Sequence, residues 1–456
     1  MKLSDDSRVA IIGGGPAGSM TGFFLLELAD RIGLRLTVDL YEKRDFNLIG
    51  PPGCNMCAGV VSESLVQVLA AEGINLPPLV VQRGIDSYVL HTSGLNPVAI
   101  EAPSHDLRIA TVYRGSGPER PMGDEPWASF DKHLLELAQQ RGVNVLRQRV
   151  TEIERTEDGL PVVIHGKDER TPYDFLVGAV GVNSSTMKIF EGLGFEFRPP
   201  PTSKGFLSEI YLGQEQTREY LGTALHIFLL DIPRLKFAAI IPKAEYVTVC
   251  LLGKEIDREV ARHFLSSPEV RNCFPADLNW CYGAGHCEAG EACHCAPKLA
   301  MGAAHHPYGD RVALVGDSAV SRLYKDGIGA AYITAKSLAA TAIFLGISSD
   351  DFKRHYWPVV RGIHLDNHFG RAIFAATKLY QKFKFLRRGM VRMVQEEHGL
   401  ESEDRIMSRV LWDAFTGSAT YRNIFFRTMT PAFGFHLARA TFQAATERTR
   451  ERFGGE

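Results

Sequence analysis

Net charge is what this 456-residue chain has least of: 51 basic side chains face 53 acidic ones, a formal −2. Phosphate backbones are held by concentrated positive surface, so this balance excludes nucleic acid as a partner of the chain as a whole. Uninterrupted apolar runs approaching the ~18–20 residues that cross a bilayer are missing. The first residues, MKLSDDSR, are polar and acidic, unlike a secretory leader, so none is expected. Internal repeats and low-complexity tracts are absent, which excludes a repeat architecture. Cysteine is sparse, eight residues in all, so reduced thiols with redox or metal roles are expected rather than a disulfide framework. These absences predict a cytoplasmic globular protein. With 45% hydrophobic and 23% charged residues the chain has the composition for a large core, and the length for about three domains.

Glycine, by contrast, is placed with purpose. In RVAIIGGGPAGSMTG, the apolar run Val9, Ala10, Ile11, Ile12 reads as a buried strand, and a helix-like run FFLLELA begins at Phe23. Between them stand Gly13, Gly15 and Gly18. The first permits a tight turn, the second lets backbone approach a pyrophosphate, and the third lets helix pack on strand. The helix N-terminus, entered through Pro16 and Ala17, offers free N–H groups to phosphates. A second strand, LTVDLYEK, ends at Glu42 and Lys43, where an acid is expected to hold a ribose hydroxyl. The unit predicts a bound dinucleotide.

Further along, FNLIGPPGCNMCAGVVS is a Pro/Gly-rich loop running into a helix from about Ser62, and residues 80–112 alternate as strands do. RGSGPERPMGDEP reads as a loop. Ala128 to Arg141 is amphipathic, with Phe130, Leu134, Leu135, Leu137 and Ala138 on one face. A hairpin-like stretch and the buried strand FLVGAVG follow. Gly205 to Gly253 predicts several antiparallel strands with an apolar face, and 257–273 a helix. RVALVGDSA is another buried strand, ending at Gly316 and Asp317, where a carboxylate either accepts a hydroxyl proton or caps a helix. Gly327, Ile328 and Gly329 open the helix beyond it, and everything past about 350 reads as helical.

Taken together, these stretches resemble, over roughly residues 8–345, the flavoprotein family of p-hydroxybenzoate hydroxylase fold, and within it the geranylgeranyl reductase group. The resemblance rests on the Gly13/Gly15/Gly18 loop extended by Gly22, and on CAGVVS at Cys57–Ser62. FDKHLLELAQQRGVNV and, most specifically, RVALVGDSAVSRLYKDGIGAAYITAK complete it. It implies FAD as cofactor, held by Gly13, Gly15, Pro16, Ala17, Gly18, Glu42 and Lys43 and by Gly316, Asp317, Gly327, Ile328 and Gly329. It also implies a mixed α/β (α+β) fold. A Rossmann-like FAD-binding domain (1–80, 126–195, 296–350) would interleave with an antiparallel-sheet substrate domain (81–125, 196–295), before a helical C-terminal region (351–456).

Two departures narrow the expectation. Val180 stands where the family carries an Asp associated with FAD and NAD(P)H contacts, a departure that counts against direct reduction by NAD(P)H and points to a ferredoxin-like or other protein as the alternative electron donor. The group's aromatic substrate motif survives only as Phe237-Ala-Ala-Ile-Ile-Pro242. Cys54 and Cys57 form a Cys-x-x-Cys that fits a redox disulfide or half a metal site, and the resemblance sets Cys57 beside the flavin as a relay. A second cluster holds Cys281, Cys287, Cys293 and Cys295. Cys54, Cys57, Cys293 and Cys295 are therefore candidate ligands of an iron–sulfur cluster or zinc, alternatively a redox dithiol or packed thiols. Cys250 reads as a core residue, and His286, His294, His305 and His306 are left unassigned.

From Arg371 to Arg392 seven basic residues interleave with Phe374, Leu379, Tyr380, Phe383, Phe385 and Leu386. That pattern fits a helix lying on a membrane surface, or one covering the flavin domain. Function is thus expected in one of two forms, besides FAD as a structural ligand in a thiol or metal sensor. The first is reduction of a double bond in an isoprenoid or other apolar substrate by reduced FAD, with Cys57 and Cys54 as catalytic thiols. The second is electron transfer to or from a quinone or protein through a cysteine-bound centre.

Overall fold

The computed structural model describes residues 1–50, 53–55, 57–104, 107–115, 128–278 and 292–453. The first apolar run forms the strand Ser7–Ile12. It pairs in parallel with Leu36–Tyr41 on one side and Phe175–Gly178 on the other. Asn144–Leu146 and Val312–Leu314 extend this parallel sheet, and Tyr308–Gly309 closes one edge antiparallel. Val9 and Ile11 face one core, with Phe24, Leu25 and Leu338, whereas Ala10 and Ile12 face another, with Phe190 and Leu314. Both faces are covered, so the strand carries no polar alternation.

Two helices supply the first of those cores, Pro16–Asp30 and Gly327–Ala340, packed on each other. Each is apolar nearly all round, as helices inside a fold are. With its π-helical extension, Gly327–Leu345 is long and apolar enough to cross a membrane by length and composition, and 56% of that span is buried inside the fold. Only Lys336 interrupts it, and that ammonium pairs with Glu72 across the core edge.

The strands predicted between Gly205 and Gly253 form four of the seven in a second sheet. Its order is Ala292–Cys295, Phe206–Tyr211, Tyr246–Gly253, Leu235–Pro242, Ala224–Leu229, Ser87–Thr92, Val98–Glu101. Every pair is antiparallel except Ala224–Leu229 with Ser87–Thr92. Here too the period of two sorts the side chains. Phe237, Ala239 and Ile241 join one core with Trp412 and Tyr421, and Ala238 and Ile240 join another with Phe264 and Val260.

Two helices expected as single pieces are broken. Residues 257–273 divide into Arg258–Ser266 and Pro268–Arg271, because the residue before a proline is driven to extended backbone, as Ser267 is at φ −67°, ψ 138°. The basic stretch Arg371–Arg392 divides at Phe383 into Trp357–Lys382 and Lys384–Glu396. There Gln381 donates to the Lys236 carbonyl at 2.7 Å, and Arg387 donates to the Gln381 carbonyl freed by the break. This region packs on the antiparallel sheet as well as on the glycine-loop domain that the covering reading assigned it. Trp412 stacks on Tyr88 at 4.3 Å, and Phe374 on Phe237 at 5.5 Å. Leu379, Phe383 and Phe385 remain exposed.

Strand, loop and first helix fit only because Cβ atoms are absent. A Cβ on Gly18 would stand 1.8 Å from the Gly13 carbonyl oxygen, and Gly13, at φ +106°, would drive one into the Ala179 carbonyl at 2.5 Å. Gly18→Ala is therefore expected to cost about 3 kcal/mol or more, the upper end for overpacking. Gly192→Ala, where nothing lies within 4 Å, serves as the tolerated control. Chemical denaturation of the two variants measures the difference.

Candidate functional site

The helix Pro16–Asp30 starts with Pro at its first position and has no side chain capping its N-terminus. Its first amides therefore point, uncapped by protein, into a cavity of about 520 Å³. Gly13, Gly15, Pro16 and Ala17 line that cavity. A Cβ at Gly15 would meet nothing nearer than Arg114 Nη2 at 3.9 Å and Asn55 Nδ2 at 4.0 Å, so this glycine faces the open space a ligand would fill. Gly18 does its work behind the loop, against Gly13, outside the lining.

Glu42 is held in the lining by two backbone donors, Gly14 N to Oε2 and Arg44 N to Oε1, both at 2.8 Å. Each carboxylate oxygen keeps a lone pair for a hydroxyl. Lys43 is exposed beside it. At the far end of the loop stands Arg114, which grips the fully buried carboxylate of Asp131 bidentately (Nε–Oδ1 2.5 Å, Nη2–Oδ2 2.9 Å). Asn55 donates to the same carboxylate. Burial works against the Arg114 charge, and the neighbouring Asp131 and Cys57 outweigh it, holding the guanidinium further toward its charged form. Arg114 thus presents a fixed cation beside Gly15. Sequence reading missed it: an arginine opening a turn-rich stretch carries no signal of its own, and Asp131 reads as an ordinary first-turn acid.

Asp317 closes the cavity from the third segment. It lies in the lining, bonded to Ser321, with burial holding its carboxyl above the usual carboxylate range and Arg114 opposing that rise. It does not cap the following helix. Asp326 does, at φ 49°, accepting from Gly329 N at 3.1 Å and pairing with Arg322 at 2.7 Å. Gly329 stands just outside the lining: a Cβ there would meet Asp326 Oδ1 at 2.2 Å, and its amide donates to that carboxylate. Gly316, at φ +61°, packs on Ala17 behind the lining, while Gly327 and Ile328 reach the cavity.

The same cavity continues onto the antiparallel sheet, over Leu225, Ile227, Phe237, Ala239, Ile241 and Leu252. The remnant motif Phe237–Pro242 therefore lies on its floor, each odd-numbered side chain upward. Val180 lies in the wall beside the glycine loop. Cys57 stands where the two regions meet, and Cys250 is buried in the core as expected and also borders the floor, where burial pushes its thiol up. Cys54 is set back from the lining, its carbonyl accepting from Arg44 at 3.0 Å.

Cysteine-bound metal is not borne out at the expected place. Among the described residues, Cys54, Cys57, Cys293 and Cys295 do not reach ligand spacing. The only groups whose donor atoms lie within 4.8 Å of one another are His91/His226/Cys273 and Glu196/His305/His306. Cys293 and Cys295 sit two apart on Ala292–Cys295, and burial pushes both thiols up to about 12, so both stay protonated at neutral pH. Cys281, Cys287 and His286 lie outside the described residues.

No family model matches the chain, and no curated protein does. Solved structures do match. The flavin-dependent brominase Bmp2 superposes with a TM-score of 0.61 at 14% identity, over 93% of this chain and 98% of its own. A probable FAD-dependent monooxygenase, pqsL from Pseudomonas aeruginosa, gives 0.56 at 16%, over 83% and 97%. The p-nitrophenol 4-monooxygenase PnpA from Pseudomonas putida DLL-E4 gives 0.55 at 12%, over 90% and 97%.

Asp317 separates binding from folding. A raised carboxyl favours the fold below the ordinary carboxylate range, and that contribution is lost as pH rises through the raised value. Asp317→Asn is therefore expected to leave the ligand-free chain at least as stable at pH 7, the advantage over Asp vanishing on acidification. Losing a charged acceptor should weaken dinucleotide binding about tenfold or more, from a hydrogen bond of ~1.5–3 kcal/mol. Thermal melts across pH and a binding titration check both halves. The chain has the fold of the flavin-dependent monooxygenases and halogenases.

Proposed function

We propose that this chain is an FAD-dependent oxidoreductase acting on an apolar molecule, and that its reaction is reduction of a carbon–carbon double bond in an isoprenoid-like chain. One observation carries the reading. A single cavity has a phosphate cradle and two carboxylates at one end, a hydrocarbon floor at the other, and Cys57 between them. The cradle fits FAD: amides at an uncapped helix start and Arg114 for the pyrophosphate, Glu42 and Asp317 for hydroxyls. Bound there, FAD would supply the hydride chemistry.

The chain's own residues do the rest. Leu225, Ile227, Phe237 and Ile241 bind hydrocarbon and exclude water, each buried side chain worth ~1.5–3 kcal/mol of hydrophobic contact. Cys57 lines the cavity where cradle and floor meet, the place from which a thiol proton would reach the substrate. Electron transfer through a cysteine-bound centre has no comparable support, because its four expected thiols do not come within ligand spacing among the described residues.

The test is anaerobic. Enzyme isolated with flavin and reduced in a sealed cuvette should be reoxidised by an isoprenoid alcohol, the product gaining two hydrogens by mass. Reoxidation only by oxygen, with oxygen incorporated into the product, would make the chain an oxygenase instead. Cys57→Ser should lower turnover by about 100-fold, the low end for a positioned proton donor, with flavin content unchanged. Unchanged turnover removes Cys57 from the reaction.

A further inference from the structure

Behind the cavity floor, on the opposite face of the antiparallel sheet, three donor atoms converge that the reaction does not use. His91 Nε2 and His226 Nδ1 lie 2.9 Å apart. The sulfur of Cys273 lies 3.5 Å from His226 Nδ1 and 3.8 Å from His91 Nε2. All three residues are buried. A zinc ion with ligands at ~2.0–2.1 Å (N) and ~2.3 Å (S) in tetrahedral array sets its nitrogens roughly 3.3 Å apart and its sulfur roughly 3.6 Å from each. The two sulfur separations straddle the zinc value, and the nitrogens stand about 0.4 Å closer than a bound ion would set them.

We infer that His91 Nε2, His226 Nδ1 and Cys273 Sγ form a binding site for a thiophilic divalent metal ion of the zinc type. It is unrelated to the Cys54/Cys57 motif, and it does not rest on the proposed reaction. Three further features support it. Phe228 stacks on the His91 ring at 4.4 Å, fixing its plane. The His91 and His226 rings lie 5.1 Å apart, centre to centre, at 23° to one another, a fixed relative orientation for the two donor nitrogens. The Cys273 thiol donates to the Glu269 carbonyl at 3.5 Å, which fixes the orientation of the sulfur.

Chemically, ligation needs no redox partner. The Cys273 thiol gives its proton to solvent and the sulfur enters as thiolate, while the imidazoles enter neutral, as burial already holds them. Mechanically, the ion would join the strands Ser87–Thr92 and Ala224–Leu229, the one parallel pair in this sheet, to the helical layer over them. Leu225 and Ile227, flanking His226, form part of the cavity floor, so the metal would stiffen the surface on which substrate rests.

The experiment uses the full chain with its flavin, stripped by chelator under reductant and then titrated with Zn²⁺, or with Co²⁺ as spectral probe. One equivalent per chain, a thiolate-to-cobalt charge-transfer band and a higher melting temperature are expected. Cys273→Ser should abolish the band. His226→Gln, which keeps every thiol, should weaken Zn²⁺ binding by about 10–100-fold or more, a first-layer ligand mattering at least as much as the outer partners that fix it. No stoichiometric uptake by the wild type, or uptake unchanged in both variants, overturns the site. Should a variant fail to fold, X-ray absorption of the zinc-loaded wild type decides. Two imidazole nitrogens with one sulfur support the site, and a shell of several sulfurs overturns it.

Discussion

Backbone meeting backbone without intervening Cβ atoms is the constraint on which the structure depends. Gly18 lies against the Gly13 carbonyl, and Gly13 against that of Ala179. This draws the first strand, the loop and the first helix together so closely that the helix's opening amides face outward with no side chain over them. Two charged groups stand beside that end. Glu42 arrives from the second strand, pinned by two loop amides. Arg114 arrives from the other side, its charge matched by a carboxylate wholly removed from water. An unpaired buried charge at either place would be costly, so these partners position the groups and are part of the site's architecture.

The second sheet uses a different physical rule. Its strands read as nearly continuous apolar runs because helices cover one face and cavity and C-terminal helices the other. The period of two then decides which side chains meet substrate and which meet structure. Ile227 looks into the cavity while His226 looks away from it; Ala239 forms floor while Ala238 packs beneath. One strand therefore serves both the proposed hydrocarbon surface and the histidine–cysteine cluster behind it.

How much of this the sequence discloses follows from the range over which each signal acts. The glycine loop, Glu42 and Asp317 are legible because local backbone geometry needs those residues where they stand. The strands of the second sheet are legible from their apolar runs, and the broken helix at Pro268 was open to the same reading, since proline's effect on its predecessor is local. Arg114 is not legible, being a functional cation only through a carboxylate brought in by another helix. Nor are His91, His226 and Cys273, whose separations of 135, 47 and 182 residues leave no motif. Spacing misled at the cysteines: Cys54-x-x-Cys57 is a strong local pattern, yet its expected partners Cys293 and Cys295 lie on a strand that buries their thiols. The role of Gly329 in making room for the capping carboxylate of Asp326 carries no local signal either, because a glycine after a strand reads equally as approach to a ligand.

The central claim is that amides at the start of the first helix, with Glu42 and Asp317, grip one flavin dinucleotide. Its most direct test is the visible spectrum of gently isolated protein, followed by titration with FAD. One tightly held flavin per chain is the expected result. Protein that comes out colourless and takes up no flavin at saturating concentration would contradict it.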